Sequence, residues 1–565
     1  MDRTLTSALE RPGRGRIVPG DWLGFDARGE RRNSKERIVE MSLHPIDIGL
    51  IIGYFAIVIG IGVYVSRQTK SGDDLFLAGR ALGFGVIGFS LFASNISAQT
   101  LIGLAGDAYA TGIAVSAYEW MAGLILVFTA IFVLPFYIRT KISTVPEFLA
   151  KRYDDRVRLY LSCITIFLSI IVDMAGGLYA GSLVLDKLFF PDSGGQHLFW
   201  FCLGLGLFAG IYTAAGGLKA VVLTDVLQAI ILIVGSAAMG LIIFDHFDWS
   251  WAKATQAVPP DHLSIIRPID DDVLPWPGLL LGVPLIGFYY WTMNQYIIQR
   301  ALGARDLQAA RRGAMLGGAL KLLPLFIMIL PAAFAISLFP DIENKDQVFP
   351  TMVTELLPVG AVGLVLAGLI AAIMSSVDST LNSASTLVTL DFIKPKRPDL
   401  TPQQTARIGR ICTFVFMAIA VAWAPQIKDF PGLWNYIQSA FAYITTPLVA
   451  IFLVGIFWKG AHPKAGFWAL VCGHTSSALL FALGPVGGLI HVHFTLMAIA
   501  LTLWTAVLLV GLSWAMGRDF TLAPHITWPP DERSRQMRPG GLLTDYRLQA
   551  GGLVLLTVLM VLAFW

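Results

Sequence analysis

Ala372, Ser375 and Ser376 stand within Ala371-Ala372-Ile373-Met374-Ser375-Ser376-Val377-Asp378-Ser379-Thr380-Leu381-Asn382-Ser383, the most polar stretch inside any long apolar run of the sequence. Spaced i, i+3 and i+4, they share one helix face. Two hydroxyls with a nearby main-chain carbonyl form the neutral, hard-oxygen donor set that sodium accepts. The plain alternative is that small and hydroxyl residues let helices approach closely and bond back to their own carbonyls. Spacing alone does not choose between them.

Ionisable residues inside apolar runs cost a few kcal/mol each and are functional candidates by default. Glu119, Asp173, Asp225, Lys321 and Asp378 qualify. Lys321 lies about seven residues into its run, ~10 Å at the helical rise, so snorkelling towards water is its competing explanation. Glu119 lies about six residues in from the opposite side, which leaves roughly 10 Å between the two depths. On that count a direct ion pair is not expected, and a hexose-sized ligand bridges them instead. Tyr290 and Trp291 fall about fifteen residues into their run, too deep for an interfacial aromatic belt. Aromatic faces stack on sugar C–H surfaces, and carboxylate, ammonium and amide groups bond hydroxyls. Glu119, Lys321, Gln438, Tyr290 and Trp291 therefore make a candidate polyol site.

The elements that must position these residues are membrane helices. Of 565 residues 55% are hydrophobic and only 14% charged, and apolar runs of 18 or more residues recur. Each is long enough to cross a hydrocarbon core about 30 Å thick, and only helices satisfy their own backbone there unless a barrel closes. Fourteen spans are predicted. Lys and Arg in the connectors after odd-numbered spans number 26, against five after even-numbered ones. The positive-inside rule then places the odd connectors in the cytoplasm and both chain ends outside.

The spans divide into a leading helix at 46–65, a first group of five at 83–245 and a second group at 275–458. Two further helices follow at 464–516, then a cytoplasmic connector at 517–547 and a final helix at 548–565. An odd number of spans per group inverts the second relative to the first. Inverted repeats of this kind carry broken helices at matching positions, where unwound backbone offers carbonyls and amides to solutes. Span 2 holds Ser94-Asn95-Ile96-Ser97-Ala98-Gln99-Thr100 at its middle, and span 7, five later, holds a polar and aromatic string from Pro284 to Gln295.

Other chemistries lack their signatures. The sequence has no Gly-Lys dipeptide and hence no P-loop, no His-Glu pair of a zincin and no Gly-x-Ser-x-Gly elbow. It reads as a non-enzyme with no cofactor. A net charge of +3 does not imply nucleic acid. Cys163, Cys202, Cys412 and Cys472 all lie in apolar runs and imply neither a disulfide framework nor a metal site.

Eight strings resemble the solute:sodium symporter family, and most closely its sodium/glucose and bacterial sodium/galactose branch. They are ASNISAQTLIGLAG (93–106), AYEWMAG (117–123), TVPEFLAKRY (144–153), GGLKAVVLTDVLQ (216–228), YYWTMNQYIIQRAL (289–302), LKLLPLF (320–326), AAIMSSVDSTLNSAST (371–386) and YIQSAF (436–441). The resemblance implies an all-α, LeuT-like inverted five-plus-five fold with flanking helices, and alternating access driven by inward sodium movement. It assigns sodium to the carbonyls of Ala93, Ile96 and Ala372 and the hydroxyls of Ser375 and Ser376. It assigns sugar to Glu119, Lys321 and Gln438, with Tyr290 as inner gate and Trp291 beside it, and sodium release to Asp225. The galactose pattern is not matched throughout. Thr100 replaces a glutamine, Gly287 an asparagine and Ala122 a small hydroxyl residue. Asp173 stands where that pattern has an amide and either contacts substrate or titrates as a coupling site.

The sequence thus predicts a multi-pass inner (plasma) membrane symporter of a monosaccharide or related polyol, with sodium as coupling ion. The alternatives are a sodium- or proton-coupled symporter of an acidic sugar, amino acid or carboxylate, and a membrane solute sensor that moves nothing. One segment conflicts with the topology. Residues 1–44 form a polar tail whose first 40 residues carry nine Lys or Arg with no apolar run, yet the charge rule places them outside. The conflict predicts that synthesis starts at Met41. Mass spectrometry of native protein should find no peptide from residues 4–37; such peptides would show the tail to be translated.

Overall fold

The computed structural model describes residues 44–565 apart from 69–70, 191–192, 194, 343–344, 430–432, 518–526 and 528–544. The expected start at Met41 and most of the 517–547 connector lie outside the described residues.

Apolar runs become helices here because lipid offers the backbone no other partner. Among the described residues, eleven helical stretches are long and apolar enough to cross a membrane. In chain order the helices are α1 (Pro45–Ser66), α2 (Phe84–Asn95), α3 (Ala98–Thr111), α4 (Ile113–Thr140), α5 (Asp155–Asp186), α6 (Leu198–Ile211), α7 (Gly217–Asp245) and α8 (Gly278–Met293). There follow α9 (Gln295–Leu302), α10 (Leu307–Leu338), α11 (Ala361–Ile393), α12 (Pro402–Ile427), α13 (Ile437–Phe457), α14 (Pro463–Pro485), α15 (Phe494–Ala515) and α16 (Tyr546–Ala563). Helices α2 and α3 together make one further span, bent by 60°. Helices α6 and α8 are shorter apolar stretches, and helix runs on from α6 to Gly217.

The connection between predicted spans 5 and 6 is abrupt rather than looped. Helix continues on both sides of Gly217, whose φ of 59° and ψ of −155° turn the chain at a single residue. A Cβ there would lie 2.3 Å from the Leu75 carbonyl oxygen, so both the backbone angle and the space demand glycine.

Both predicted breaks are present. In span 2 the helix stops at Asn95, with Ile96 extended, and restarts at Ala98 behind Ser97. Ser97 and Thr100 form a capping box: Thr100 N donates to Ser97 Oγ and Ser97 N to Thr100 Oγ1. In span 7 a π-helical turn over Tyr289–Met293 ends at Asn294, which is extended and caps α9 by accepting from Tyr296 N.

The TVPEFLAKRY string builds a brace away from the breaks. Thr144 caps the short helix Val145–Arg152 by accepting from Glu147 N, and its hydroxyl donates to Asp391 at the end of α11 (2.9 Å). Asp391 also accepts from Arg158 (2.7 Å) and Ser162 (2.9 Å) of α5. Arg152 belongs to the cations that the sequence count placed in connectors, but it is only 2% exposed. Its guanidinium donates to the carbonyls of Gly455 (2.6 Å), Trp458 (3.0 Å) and Ala461 (3.1 Å) just beyond or within the end of α13, where a helix leaves carbonyls uncovered. Replacing Arg152 with Ala should lower the melting temperature in detergent, at a cost of roughly 2–4 kcal/mol. Lys253→Ala, which removes an exposed ion pair, should leave it nearly unchanged. Equal melting of the two variants would contradict the brace.

Candidate functional site

The break in span 2 reaches two groups of residues at once. In an unbroken helix, Ser97 N would cover the carbonyl of Ala93 and Thr100 N that of Ile96. Here Ser97 N donates to Asn95 O (3.0 Å) and Thr100 N to Ser97 Oγ (3.3 Å). The bend thus diverts the two amides that would have occupied the two carbonyls assigned to sodium by resemblance. Helix α11 packs against both α2 and α3 and carries Ala372, Ser375 and Ser376, all buried.

The hydroxyls of that face have partners of their own. Ser376 Oγ donates to the Ala372 carbonyl (3.1 Å) and Ser375 Oγ to Asp225 Oδ1 (2.5 Å). The back-bonding alternative read from the sequence is therefore realised at Ser376, whereas Ser375 joins a wider network. Ser94 Oγ lies 3.3 Å from both Ser375 Oγ and Ser379 Oγ, and Ser379 Oγ donates to Asp378 (3.1 Å).

Arg300 holds this network together. It is fully buried and faces Asp225 at 3.2 Å. Its nitrogens also donate to Ser90 Oγ (2.6 Å), Ser94 Oγ, Ser379 Oγ and the Tyr296 carbonyl. The charge count had assigned Arg300 to a cytoplasmic connector. The helix restarts after Asn294 and carries the residue back into the protein. Asp225, to which the resemblance assigns sodium release, is one half of this ion pair and also accepts from Ser90.

On the other side of the break is a cavity lined by Asn95, Gln99, Thr100, Glu119, Asp173, Tyr290, Trp291, Ser376 and Gln438, among others. Glu119, Gln438, Tyr290 and Trp291 of the expected polyol site are in that wall, with Asp173 and Thr100, whereas Lys321 is not. Lys321 is 1% exposed and sits behind the wall, where its ammonium donates directly to Glu119 and to Asn95 Oδ1, 5.6 Å from the Trp291 ring centre. The expectation of no direct pair is thus overturned, and with it the snorkelling explanation. Counting rise along straight helices ignored the reach of the lysine stem and the turn that follows α10's first segment at Leu320.

Other residues behave less simply than their spacing suggested. Thr100 lines the cavity, but its hydroxyl donates to the Asn95 carbonyl (3.0 Å) and so helps to close the break. Tyr290 and Tyr296 share a hydroxyl hydrogen bond (2.5 Å). Gln99 threads against α5, donating to the Asp173 carbonyl (3.3 Å); a Cβ on Gly176 would fall 2.1 Å from its amide nitrogen. At Gly287 a Cβ would come within 2.5 Å of Ile125 Cδ1, so the departure from asparagine there goes with a bulky neighbour. Asn95, Tyr296, Asn294 and Arg300 were missed as individual site residues. Asn95 and Asn294 lie inside the strings singled out at the breaks, and Tyr296 and Arg300 inside the family-like string 289–302, which was the available signal.

A profile of the Sodium:solute symporter family matches residues 75–473. Similar proteins include sodium/glucose cotransporter 4 of Danio rerio (33% identical, 77% of this chain and 71% of that one) and sodium/myo-inositol cotransporter 2 of Homo sapiens (35%, 77% and 69%). The sodium/glucose cotransporter of Vibrio parahaemolyticus is 35% identical, over 77% of this chain and 84% of its own. Among solved structures, a substrate-bound, outward-open Na+-coupled sialic acid symporter superposes with a TM-score of 0.72 at 21% identity, covering 84% of this chain and 99% of that one. The nucleobase-cation symporter Mhp1 in a closed conformation gives 0.53 at 16% identity, covering 78% and 94%. These neighbours fix the fold as the all-helical LeuT-like architecture expected above. A family profile spanning most of the chain, together with relatives above 30% identity over more than two thirds of it, establishes that this chain belongs to the sodium:solute symporter family.

Proposed function

We infer that the chain is a sodium-coupled secondary active symporter that brings a monosaccharide or related polyol into the cell across the plasma membrane by alternating access. The observation that carries this reading is the shared break. One short stretch, Ala93–Thr100, has lost the helical amides that would cover the Ala93 and Ile96 carbonyls and turns Ser94, Asn95, Ser97, Gln99 and Thr100 to the cavity wall. A cation bound by Ala93, Ile96, Ala372, Ser375 and Ser376 would take up those carbonyls together with the lone pairs that the two serine hydroxyls retain while donating to their present acceptors. Ordering the stretch would then set Asn95 and Thr100 for solute. Relatives named for glucose and myo-inositol transport support the substrate class.

The cavity wall suits a ring of hydroxyls. Glu119 accepts and Gln438 and Asn95 both donate and accept, while Tyr290 and Trp291 supply aromatic faces. Lys321 acts from behind, pairing with Glu119 and aiming Asn95. Tyr290 forms the inner side of the site and must release Tyr296 for solute to leave inward; Tyr296 in turn connects through its carbonyl to Arg300 and so to Asp225, the residue assigned to sodium release. Coupling requires that each ligand favour one conformation over the other.

Proteoliposomes offered labelled glucose, galactose and myo-inositol should accumulate at least one of them under an inward sodium gradient. Lys321→Ala should abolish that uptake, because it leaves Glu119 buried and unpaired, and Ser376→Ala should raise the sodium concentration for half-maximal uptake about tenfold. Uptake independent of both sodium and Lys321 would sink the reading.

A further inference from the structure

The charges around the cavity do not balance. Glu119 is neutralised by Lys321, and Arg300 by Asp225. Asp173 lines the same cavity and is 8% exposed, yet its Oδ2 has no hydrogen-bond donor and, among the described residues, no cationic side chain forms an ion pair with it. Gln99 donates to main-chain carbonyls of α5, those of Val172 and Asp173, rather than to the carboxylate. The side-chain donor beside Asp173 is the neutral amide of Asn294, whose nitrogen has no other partner. A buried carboxylate left in this way repels a second anion and is stabilised by a cation or by hydroxyl donors. Asn294 can offer an amide N–H but no positive charge, and Lys321 and Arg300 are paired with Glu119 and Asp225, so a compensating cation must come from the solute.

We propose that Asp173 sets the charge preference of the solute site: it admits neutral polyols, favours amino sugars whose ammonium group lies against its carboxylate, and turns away sugar carboxylates. The proposal rests on the cavity being a sugar site and narrows that reading. It decides against the acidic-sugar alternative drawn from the sequence, because Lys321 is already satisfied by Glu119 and Asn95 and offers no free cation to an anionic solute. It also gives a function to the one cavity position where an acid replaces the amide of the galactose pattern.

The test uses the full chain in proteoliposomes with sodium-driven uptake of whichever labelled neutral sugar it accumulates. Unlabelled competitors are the same sugar, its derivatives with an amino group at carbon 2 or carbon 6, and its uronate. With the wild-type chain at pH 7, at least one amino derivative should compete at a several-fold lower concentration than the parent. The uronate should need at least about tenfold more. In Asp173→Asn these ratios should collapse to within about threefold, whatever the absolute rate. A uronate that competes as well as the parent, or an order unchanged in Asp173→Asn, overturns the proposal. The wild-type series decides the matter even where the variant does not fold. Absence of uptake for every neutral sugar defeats the sugar reading itself, whereas sugar uptake blind to competitor charge defeats only the role given to Asp173.

Discussion

A charge or an uncovered peptide group inside a bilayer must find its partner within the protein, and the region around the span 2 break shows how this chain meets that demand. Two buried ionic clusters flank it. Lys321, Glu119 and Asn95 form one, behind the cavity wall. Arg300, Asp225, Ser90, Ser94, Ser375 and Ser379 form the other, against α11. Removing one member of either cluster leaves its partner charged or unsatisfied in a medium that cannot compensate. The helix can therefore be interrupted at Ile96 without collapsing, because side chains on both flanks hold its ends in place.

The second cluster also reaches the cavity wall. From the cavity, Tyr290 bonds Tyr296, whose carbonyl accepts from Arg300; Arg300 pairs with Asp225, and Asp225 accepts from Ser375 on α11. Contact of this kind provides a physical route between solute and cation, but connection alone produces no coupling. What couples two ligands is an element with two arrangements that both of them bias. The broken helix, with its carbonyls on one side and its polar side chains on the other, is the element placed to serve that role.

Much of the architecture was legible in the sequence because lipid makes the signal simple. Apolar length marks the helices, and polar strings such as Ser94–Thr100 are tolerated at mid-span only where the backbone unwinds. Charge positions were less legible. Arg152 and Arg300 looked like connector cations because each lies near the end of an apolar run, and only the fold reveals that one caps α13 and the other faces Asp225. The depth of Lys321 was misjudged for a related reason: rise per residue describes a straight helix and says nothing of where a long side chain ends. The hydroxyls of Thr100 and Ser376 were visible as donors, but whether they face a ligand or their own backbone is fixed by the local break, which no residue count resolves. The cation ligands proposed at Ala93 and Ile96 are carbonyls, and side-chain chemistry leaves no trace of such ligands; resemblance alone pointed to them.

The central claim is that sodium and sugar act on the same broken helix, and it is tested most directly by equilibrium binding to the purified chain. Sugar affinity, followed by calorimetry, should be higher in sodium than in potassium, and sodium affinity should rise with saturating sugar by the same factor, as linkage requires. Equal sugar affinity in the two salts would contradict the account.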